Sequence, residues 1–359
     1  MSSMFGKRLR VSLFGQSHGE CIGCVIDGLP AGEPIDLEAL QAFMQRRAPG
    51  GAYATQRKES DTPHIVSGLY NGHTCGAPLT VLIQNSDTVS RDYDQLKDQP
   101  RPGHADYPAE VKYRGFQDHR GGGHFSARLT AVLAAAGGIC LQILARKGIH
   151  VGAHLYSVGN VMDQPFDPLK VSTADFDQAR TGFPTLSEEA AESMKGVIDA
   201  AREQLNSVGG IVECAVIGMP VGVGEPVFDG IENQIAKAVF AIPAVKGIEF
   251  GEGFACAKMK GSENNDPYMW QDGKPMLGSN HAGGILGGLT DGAPILFRAA
   301  FKPTPSIGLS QHTVSLSARR DAILEITGRH DPCVAVRAVP VVEAAAALAV
   351  LDMILMRED

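Results

Sequence analysis

Apolar and polar residues alternate with a period of two in several stretches of this chain, which is typical of half-buried strands. Leu9 to Phe14 is the first such stretch, and it leads into a turn bounded by Gly15 and Gly19. The predicted strands cover residues 9–14, 21–26, 78–84, 149–156, 211–217 and 293–301. Because they are distributed over the whole chain and helices separate them, we expect a mixed α+β fold.

Other stretches repeat their apolar residues every three to four positions, as helices packed along one face do. The predicted helices cover residues 37–47, 127–147, 188–205, 231–241 and 341–356. Asp36, Ser126 and Ser187 precede three of them and are suited to accept N-cap hydrogen bonds. Pro340 is expected to open the last helix. The polar segments 163–185 and 261–280 follow neither period, so we expect loops there.

Composition narrows the class of protein. The 359 residues are 44% hydrophobic and 20% charged, with a formal net charge of -8 and no break in composition. We therefore expect one soluble domain over residues 1–359, and the acidic charge argues against a nucleic-acid partner. The N-terminus has no apolar signal region and no apolar run reaches ~18 residues, which predicts a cytoplasmic protein without a membrane partner.

The cysteines predict neither a disulfide framework nor a metal site. Seven of them are scattered along the chain, an odd number without regular spacing. Cys21 and Cys24 form a C-x-x-C pattern, but they lie in a predicted strand and have no second pair to complete a zinc site. Burial within the sheet is the favoured interpretation.

Residues 101–128 are exceptional in an acidic protein, because they hold five Lys/Arg and three His. The three consecutive glycines at 121–123 permit positive φ and a close approach to a ligand. The helix predicted after Ser126 would offer free N–H groups to an anion. Arg128 lies in its first turn, where a cation opposes the helix dipole, so we expect it to serve something other than the helix. The segment predicts an anion-binding site with proton-transfer groups.

The polar and glycine-rich clusters form an ordered set of motifs along the chain. They are GQSHG (15–19), QRRAPG (45–50), QRKESDTP (56–63), SGLYNG (67–72), RPGHADY (101–107), RGGGHFSAR (120–128), NHAGGILGG (280–288), KPTPS (302–306) and GRHDPCVAVRAVP (328–340). From about Phe5 to Leu351 this order and spacing resembles the chorismate synthase family. The resemblance implies one domain with a helical layer between two antiparallel β-sheets, assembled as a homotetramer. It also implies the 1,4-anti elimination of phosphate from 5-enolpyruvylshikimate 3-phosphate, with reduced FMN (FMNH2), to give chorismate.

The resemblance implies roles for individual residues. The substrate carries two carboxylates and a phosphate, so an acidic protein has to gather cations locally. By motif position, the substrate-binding residues are Ser17, Arg47, Arg101, Arg128 and Arg329. His18 would act as the acid at the departing phosphate, and His104 would face the reduced flavin. Asp331 would assist proton transfer at the flavin.

The same motif positions imply the flavin contacts. They are His124, Phe125, Ser126, Pro243, Ala244, Gly287, Lys302, Pro303, Thr304, Pro305, Ser306 and Arg329. No metal is expected. Some members of the family reduce their own flavin with NAD(P)H, that is, with NADH or the reduced form of NADP. Because no separate nicotinamide motif is visible here, we expect an external flavin reductase.

Three positions depart from the family pattern. The family usually has Arg-Ser-Ser where this chain has His124-Phe125-Ser126, so a cation and a hydroxyl at the flavin are altered. Gln16 replaces an acidic or small residue beside His18. A second arginine that often follows Pro49 is absent, and Arg57 or Lys58 would hold that anion instead.

Two other functions stay open at this stage. A metal hydrolase could be built from His18, His104, Asp106, His124 and Asp331, but their spacing matches no common metal motif and such an enzyme has no use for the arginines. A flavin- or phosphate-binding protein without turnover would keep the motifs and lack the reaction.

Overall fold

The computed structural model of the chain describes residues 3–48, 53, 61–86, 95–326 and 331–358. Its strands are β1 (Met4–Phe5), β2 (Arg10–Gly15), β3 (Cys21–Asp27), β4 (His64–Ser67), β5 (Leu69–Tyr70), β6 (His73–Thr74), β7 (Leu79–Gln84), β8 (His150–Val158), β9 (Val161–Met162), β10 (Gly210–Ile217), β11 (Val245–Phe250), β12 (Tyr268–Gln271), β13 (Lys274–Leu277), β14 (Ile285–Leu286), β15 (Leu289–Thr290), β16 (Ile295–Phe301), β17 (Gln311–Ser315) and β18 (Arg320–Leu324). Its helices are α1 (Leu37–Arg47), α2 (Asp106–Tyr113), α3 (Thr130–Arg146), α4 (Thr173–Ala179), α5 (Glu188–Glu203), α6 (Ile231–Val239), α7 (Gly261–Asn264) and α8 (Ala335–Glu358).

Two five-stranded sheets form the outer layers. The first has the order β1-β2-β3-β7-β4 and the second the order β11-β16-β10-β8-β9, and neighbouring strands in both are antiparallel. The C-x-x-C residues lie in β3, where Cys24 is fully buried. This confirms their interpretation as part of a strand.

The long apolar helices lie between the two sheets. Helix α3 packs on β2, β3 and β7, whereas α8 packs on β8 and β10, and the two helices pack against each other. A Cβ on Gly137 of α3 would lie 2.3 Å from Cα of Ala344 in α8, so glycine permits this close approach. The arrangement confirms the predicted α+β fold with a helical layer between antiparallel sheets.

Local capping chemistry fixes several helix starts, as predicted. Asp36 Oδ1 accepts hydrogen bonds from Glu38 N and Ala39 N, both at 2.9 Å. Ser187 Oγ accepts from Ala190 N at 3.1 Å. Ser126 Oγ accepts from the amide of residue 128 at 3.3 Å, but it caps a 3₁₀ turn over 127–129, and the α-helix itself begins three residues later.

The prediction that Pro340 opens the C-terminal helix is wrong. Helix α8 begins at Ala335, and Pro340 lies in its second turn. Its ring nitrogen cannot donate to the carbonyl of Val336, so the helix loses one hydrogen bond near its start. The apolar residues before the proline are helical because they are buried against the core.

The two segments predicted as loops contain regular structure, so those predictions are wrong in part. Residues 163–185 include α4, and Phe166 and Phe176 form a small separate core on the second sheet. Residues 261–280 include α7 and the hairpin β12–β13. Asp272 and Gly273 turn that hairpin with φ of 50° and 76°, as Asp-Gly hairpin turns do.

Two helical stretches, Ala127–Arg146 and Ala335–Glu358, are long and apolar enough to cross a membrane. The expectation that no apolar run reaches that length is therefore wrong. However, 83% and 94% of their apolar windows are buried inside the molecule, as expected for core helices of a globular protein.

Candidate active site

His18 and Ser17 lie in the tight turn between β2 and β3 and face the three-glycine loop. Ser17 N donates to Gly123 O at 3.1 Å, which fastens the turn to the loop. Gly121 has a φ of +59°, and a Cβ there would lie 2.5 Å from Cδ2 and 2.6 Å from Nε2 of His18. Glycine is therefore required because the loop passes directly against the imidazole.

Arg101 and His104 share the carboxylate of Asp106. Asp106 Oδ2 accepts from Arg101 Nε at 2.7 Å, and Oδ1 accepts from Arg101 Nη2 at 2.8 Å. Oδ1 also lies 2.5 Å from His104 Nδ1, so we assign the ring proton to Nδ1. The other ring nitrogen, Nε2, would lie 3.3 Å from a Cβ on Gly122. The two imidazoles thus lie against consecutive glycines of one loop.

The carboxylate of Asp106 is an anion near neutral pH. Burial by itself would raise its pKa, but the hydrogen bonds from Arg101 and His104 hold the pKa well below its usual range. It orients both side chains, and it is the first residue of α2, which the sequence did not predict.

The KPTPS segment follows β16 and lies against the Arg101 segment. Lys302 Nζ donates to Gly103 O. Ser306 Oγ accepts from Arg101 Nη1 at 3.2 Å, and Ser306 is 6% exposed. The two motifs, which the resemblance assigns to one site, therefore lie in contact with each other.

Pro243 and Ala244 lie beside the start of the same segment. Lys302 N donates to Ala244 O at 3.0 Å, and Ala244 has a φ of 74°, rare for a residue with a side chain. Two hydroxyl groups around the cluster, Thr304 Oγ1 and Ser17 Oγ, are buried and make no hydrogen bond with the residues that the structure describes. Buried hydroxyls in this state suit a site that a polar ligand completes.

Arg47 and Arg128 converge on the buried carboxylate of Asp61. Arg47 Nη1 donates to Asp61 Oδ2 at 2.6 Å, and Arg128 Nη1 donates to Asp61 Oδ1. Arg47 Nε also donates to Thr130 Oγ1 at 3.0 Å, and Arg128 Nε donates to Asn85 Oδ1 at 2.9 Å. The side chains of all three charged residues are at most 4% exposed.

The charges in this trio set its pKa values. Burial alone would raise the pKa of Asp61, but the two guanidinium groups lower it. Burial, together with the nearby cations Arg337 and Arg128, lowers the pKa of Arg47 to about 10, and Asp61 opposes that shift. The trio carries two positive charges and one negative charge.

Asn85 connects the trio to the His18 turn. Its Oδ1 accepts from Arg128, while its Nδ2 donates to Gly19 O at 2.9 Å and to Gln16 O at 3.1 Å. The position of Arg128 and that of the imidazole therefore depend on the same amide side chain.

Arg337 connects Asp331 to Arg47. Its Nη1 donates to Asp331 Oδ2 at 2.8 Å, and its Nε donates to Arg47 O at 3.0 Å. The first turns of α8 and the last turn of α1 are thereby joined.

Some predicted site residues lie elsewhere or outside the described residues. The His124 imidazole lies between Ser3 Oγ and Gly15 O, both at 2.8 Å. Phe125 packs near Tyr113, with ring centroids 6.2 Å apart. Arg329, like Arg57 and Lys58, falls outside the described residues.

Gly287 lies in the turn of the hairpin β14–β15, where its φ is 60°. Its role as a flavin contact stays a prediction.

Four side chains of the site were not predicted from the sequence: Asp61, Asp106, Asn85 and Arg337. Asp61, Asp106 and Arg337 lie inside quoted motifs, QRKESDTP, RPGHADY and GRHDPCVAVRAVP, so a signal was present. The sequence suggested a role for Asp106 only in the alternative of a metal hydrolase. No group of three potential metal ligands lies together in the described parts of the chain.

Similarity to known proteins identifies the family of this chain. The sequence profile of chorismate synthase matches residues 9–355. The chain belongs to the chorismate synthase family. Relatives named chorismate synthase from Lancefieldella parvula and Chitinophaga pinensis are each 47% identical, over 98% and 99% of this chain and 96% and 97% of theirs. A crystal structure of a chorismate synthase superposes with a TM-score of 0.78 at 28% identity, covering 98% of this chain and 93% of that one.

Membership confirms the predicted activity. The protein is a carbon–oxygen lyase, a chorismate synthase that eliminates phosphate from 5-enolpyruvylshikimate 3-phosphate to give chorismate, in the shikimate pathway of aromatic amino-acid biosynthesis. The family depends on reduced flavin. The metal-hydrolase alternative is thereby excluded by the full-length match.

Proposed function

We propose that the His18 turn, the glycine loop and the segment from Arg101 to Asp106 form the catalytic centre of this chorismate synthase. The observation that supports this most strongly is the contact of two imidazoles, His18 and His104, with the consecutive glycines 121 and 122. Proton-transfer groups and cations thus surround one loop.

The substrate anions are proposed to bind at the hydroxyl of Ser17 and at the cationic groups Arg47, Arg101, Arg128 and Arg329. Of these, Arg329 lies outside the described residues. The Arg47–Asp61–Arg128 trio keeps a net positive charge, so it attracts an anion even while Asp61 is paired. Asp61 and Asn85 position the two arginines, and Asp106 positions Arg101.

His18 is proposed to donate a proton to the departing phosphate. It is 7% exposed, so water is largely excluded from the imidazole, and its turn is fixed to the glycine loop. An imidazole suits this step because its usual pKa lies near neutral pH. Asp331 is proposed to assist the proton transfer that follows loss of the hydrogen of the substrate ring, with its carboxylate oriented through Oδ2 by Arg337.

The residues around KPTPS fit a flavin. Pro243, Ala244 and residues 302–306 would hold FMN together with Phe125 and Ser126, and the buried Thr304 hydroxyl would gain a partner. Reduced FMN, when bound, supplies the electron density that eases departure of the phosphate. Asp106 occupies Nδ1 of His104, so the ring would face the flavin with its Nε2 side, where Nε2 also lies 3.3 Å from Arg101 Nη2.

Further properties are part of the proposal. One hydrophobic cluster includes residues of both sheets and the helices between them, which supports a single domain over residues 1–359. A homotetramer, a cytoplasmic location and an external flavin reductase are proposed from the family resemblance and from the lack of a nicotinamide motif in the sequence.

The test is anaerobic turnover of 5-enolpyruvylshikimate 3-phosphate with photoreduced FMN, repeated with NADPH and oxidised FMN. We expect turnover in the first case only. His18→Ala should lower kcat by roughly 10²–10⁴-fold while oxidised FMN still binds, measured by flavin absorbance. Flavin binding without any turnover in the unmodified protein would favour the binding-protein alternative, and turnover with NADPH would remove the external reductase.

A further inference from the structure

A cavity of about 440 Å³ lies beside the proposed catalytic centre and shares with it the side chain of Arg337, which contacts Asp331 and Arg47. It is enclosed by the end of α1, the first turns of α8 and the segment that runs from α4 into α5. Neither imidazole of the proposed catalytic centre is among its described lining residues, and neither is the guanidinium of Arg101. The volume is in the range of small-molecule sites.

The charges around this cavity have one sign. Arg46, Arg180, Lys195 and Arg337 line it, and no Asp or Glu is among the described lining residues. Arg46 forms an ion pair with the fully buried Glu343: Nη1 donates to Oε2 at 2.6 Å and Nη2 donates to Oε1 at 2.8 Å. That pair neutralises Arg46 and holds it in place.

Arg180 is held at one end by buried groups, whereas Lys195 pairs with an exposed carboxylate. Arg180 Nη2 donates to Val151 O at 3.0 Å and lies 4.0 Å from Oε2 of the buried Glu343, which fixes that end of the guanidinium. Arg180 Nη1 lies 3.3 Å from Asp177, and Lys195 Nζ lies 2.5 Å from Glu192, but the side chains of both carboxylates are 74% exposed, so water screens these pairs. Lys195 and the Nη1 end of Arg180 can therefore pair with an anion inside the cavity.

The remaining wall is mostly apolar and contains the aromatic rings of Phe183 and Tyr53, beside the polar side chain of Gln45. Phe183, Val336 and Pro340 line it, and Lys195 Nζ lies 5.5 Å from the centre of the Phe183 ring. A ligand that fits both parts of the wall needs a flat apolar body and a negative group at one end.

We propose that this cavity binds a compact aromatic carboxylate. Its carboxylate lies between Arg180 and Lys195, and its ring packs on Phe183 and Val336. Inorganic phosphate carries the charge without the ring, and a phenol carries the ring without the charge, so neither satisfies both parts of the site.

The experiment is isothermal titration calorimetry of the full chain with 4-hydroxybenzoate, without flavin or substrate. We expect saturable binding with a Kd on the order of 0.1–1 mM, and binding of phenol or inorganic phosphate at least about tenfold weaker. Arg180→Gln combined with Lys195→Gln should weaken 4-hydroxybenzoate at least about tenfold, since two charge-assisted contacts are lost. Arg180→Lys, which keeps the charge, should retain most of the affinity.

Lys147→Gln is the matched control. It removes a lysine that pairs with Glu358 at the far end of α8, so it should leave the affinity unchanged. Circular dichroism checks that each variant is folded, and Lys195→Gln alone replaces the double variant if that one is not. No saturable heat up to about 20 mM would overturn the proposal. So would equal affinity of the folded Gln variants and the unmodified protein, or binding of phosphate as tight as that of 4-hydroxybenzoate.

Discussion

Replacing Gly121 by alanine tests whether the position of the His18 ring sets the rate of the reaction. The new Cβ would lie 2.5 Å from Cδ2 and 2.6 Å from Nε2 of His18, and 2.8 Å from Ser17 Oγ. Carbon atoms in contact are about 3.5–4.0 Å apart, so the imidazole has to move by about 1 Å. The left-handed backbone adds a cost of about 1–2 kcal/mol for alanine.

The displacement should affect catalysis more than binding. A misplacement of about 1 Å at a reacting group costs on the order of 10²-fold, so we expect kcat to fall by about that factor. The three atoms nearest the new Cβ belong to His18 and Ser17 and not to the KPTPS segment, so the Kd for oxidised FMN should change little. The assay is anaerobic steady-state turnover with photoreduced FMN, beside a flavin titration.

Gly72→Ala provides the matched control. Gly72 has a φ of +76°, and no atom lies within 4 Å of its ideal Cβ, so alanine brings the same backbone strain without a clash. It should lose a similar free energy of unfolding and keep its kcat. If Gly121→Ala also keeps its kcat, the reasoning that the glycine positions the imidazole is refuted.

Two other predictions concern the carboxylates. Asp61→Asn leaves two buried arginines without a counter-charge, so it should lower the free energy of unfolding by about 3–5 kcal/mol and raise KM. Glu343→Gln is the control, because Glu343 is equally buried: it should lower the free energy of unfolding and leave KM unchanged. Folding lowers the pKa of Asp61, so the ionised carboxylate stabilises the folded protein above the pKa that Asp61 has in the unfolded state. This stabilisation is lost as pH falls through the pKa of the folded state. A difference in the free energy of unfolding between Asp61→Asn and the unmodified protein that does not change with pH would contradict this. Asp331→Asn should lower kcat with KM nearly unchanged, whereas Arg128→Ala should cost about 1.5–3 kcal/mol, mainly as a raised KM. The opposite pattern in steady-state kinetics would mean that the two roles are reversed.

The sequence predicted features whose cause is local. Asp36 and Ser187 cap helices through bonds to amides two or three residues away, so the pattern is visible in the chain itself. Asp61 is different, because its two arginine partners are 14 and 67 residues away. Pro340 was misplaced for a related reason: tertiary burial, which a local rule does not contain, makes the five residues before it helical.

Buried carboxylates explain how an acidic protein can keep cations together for an anionic substrate. Guanidinium groups gathered at one place repel one another when no anion is bound. Burial lowers the pKa of Arg47 most, and the repulsion from Arg337 and Arg128 lowers it further. The carboxylates of Asp61 and Asp106 reduce this repulsion, and their hydrogen bonds orient the guanidinium groups of Arg47 and Arg101. Since the pairing is already made, the cations need little reorganisation when the substrate arrives, and the net positive charge remains available to it.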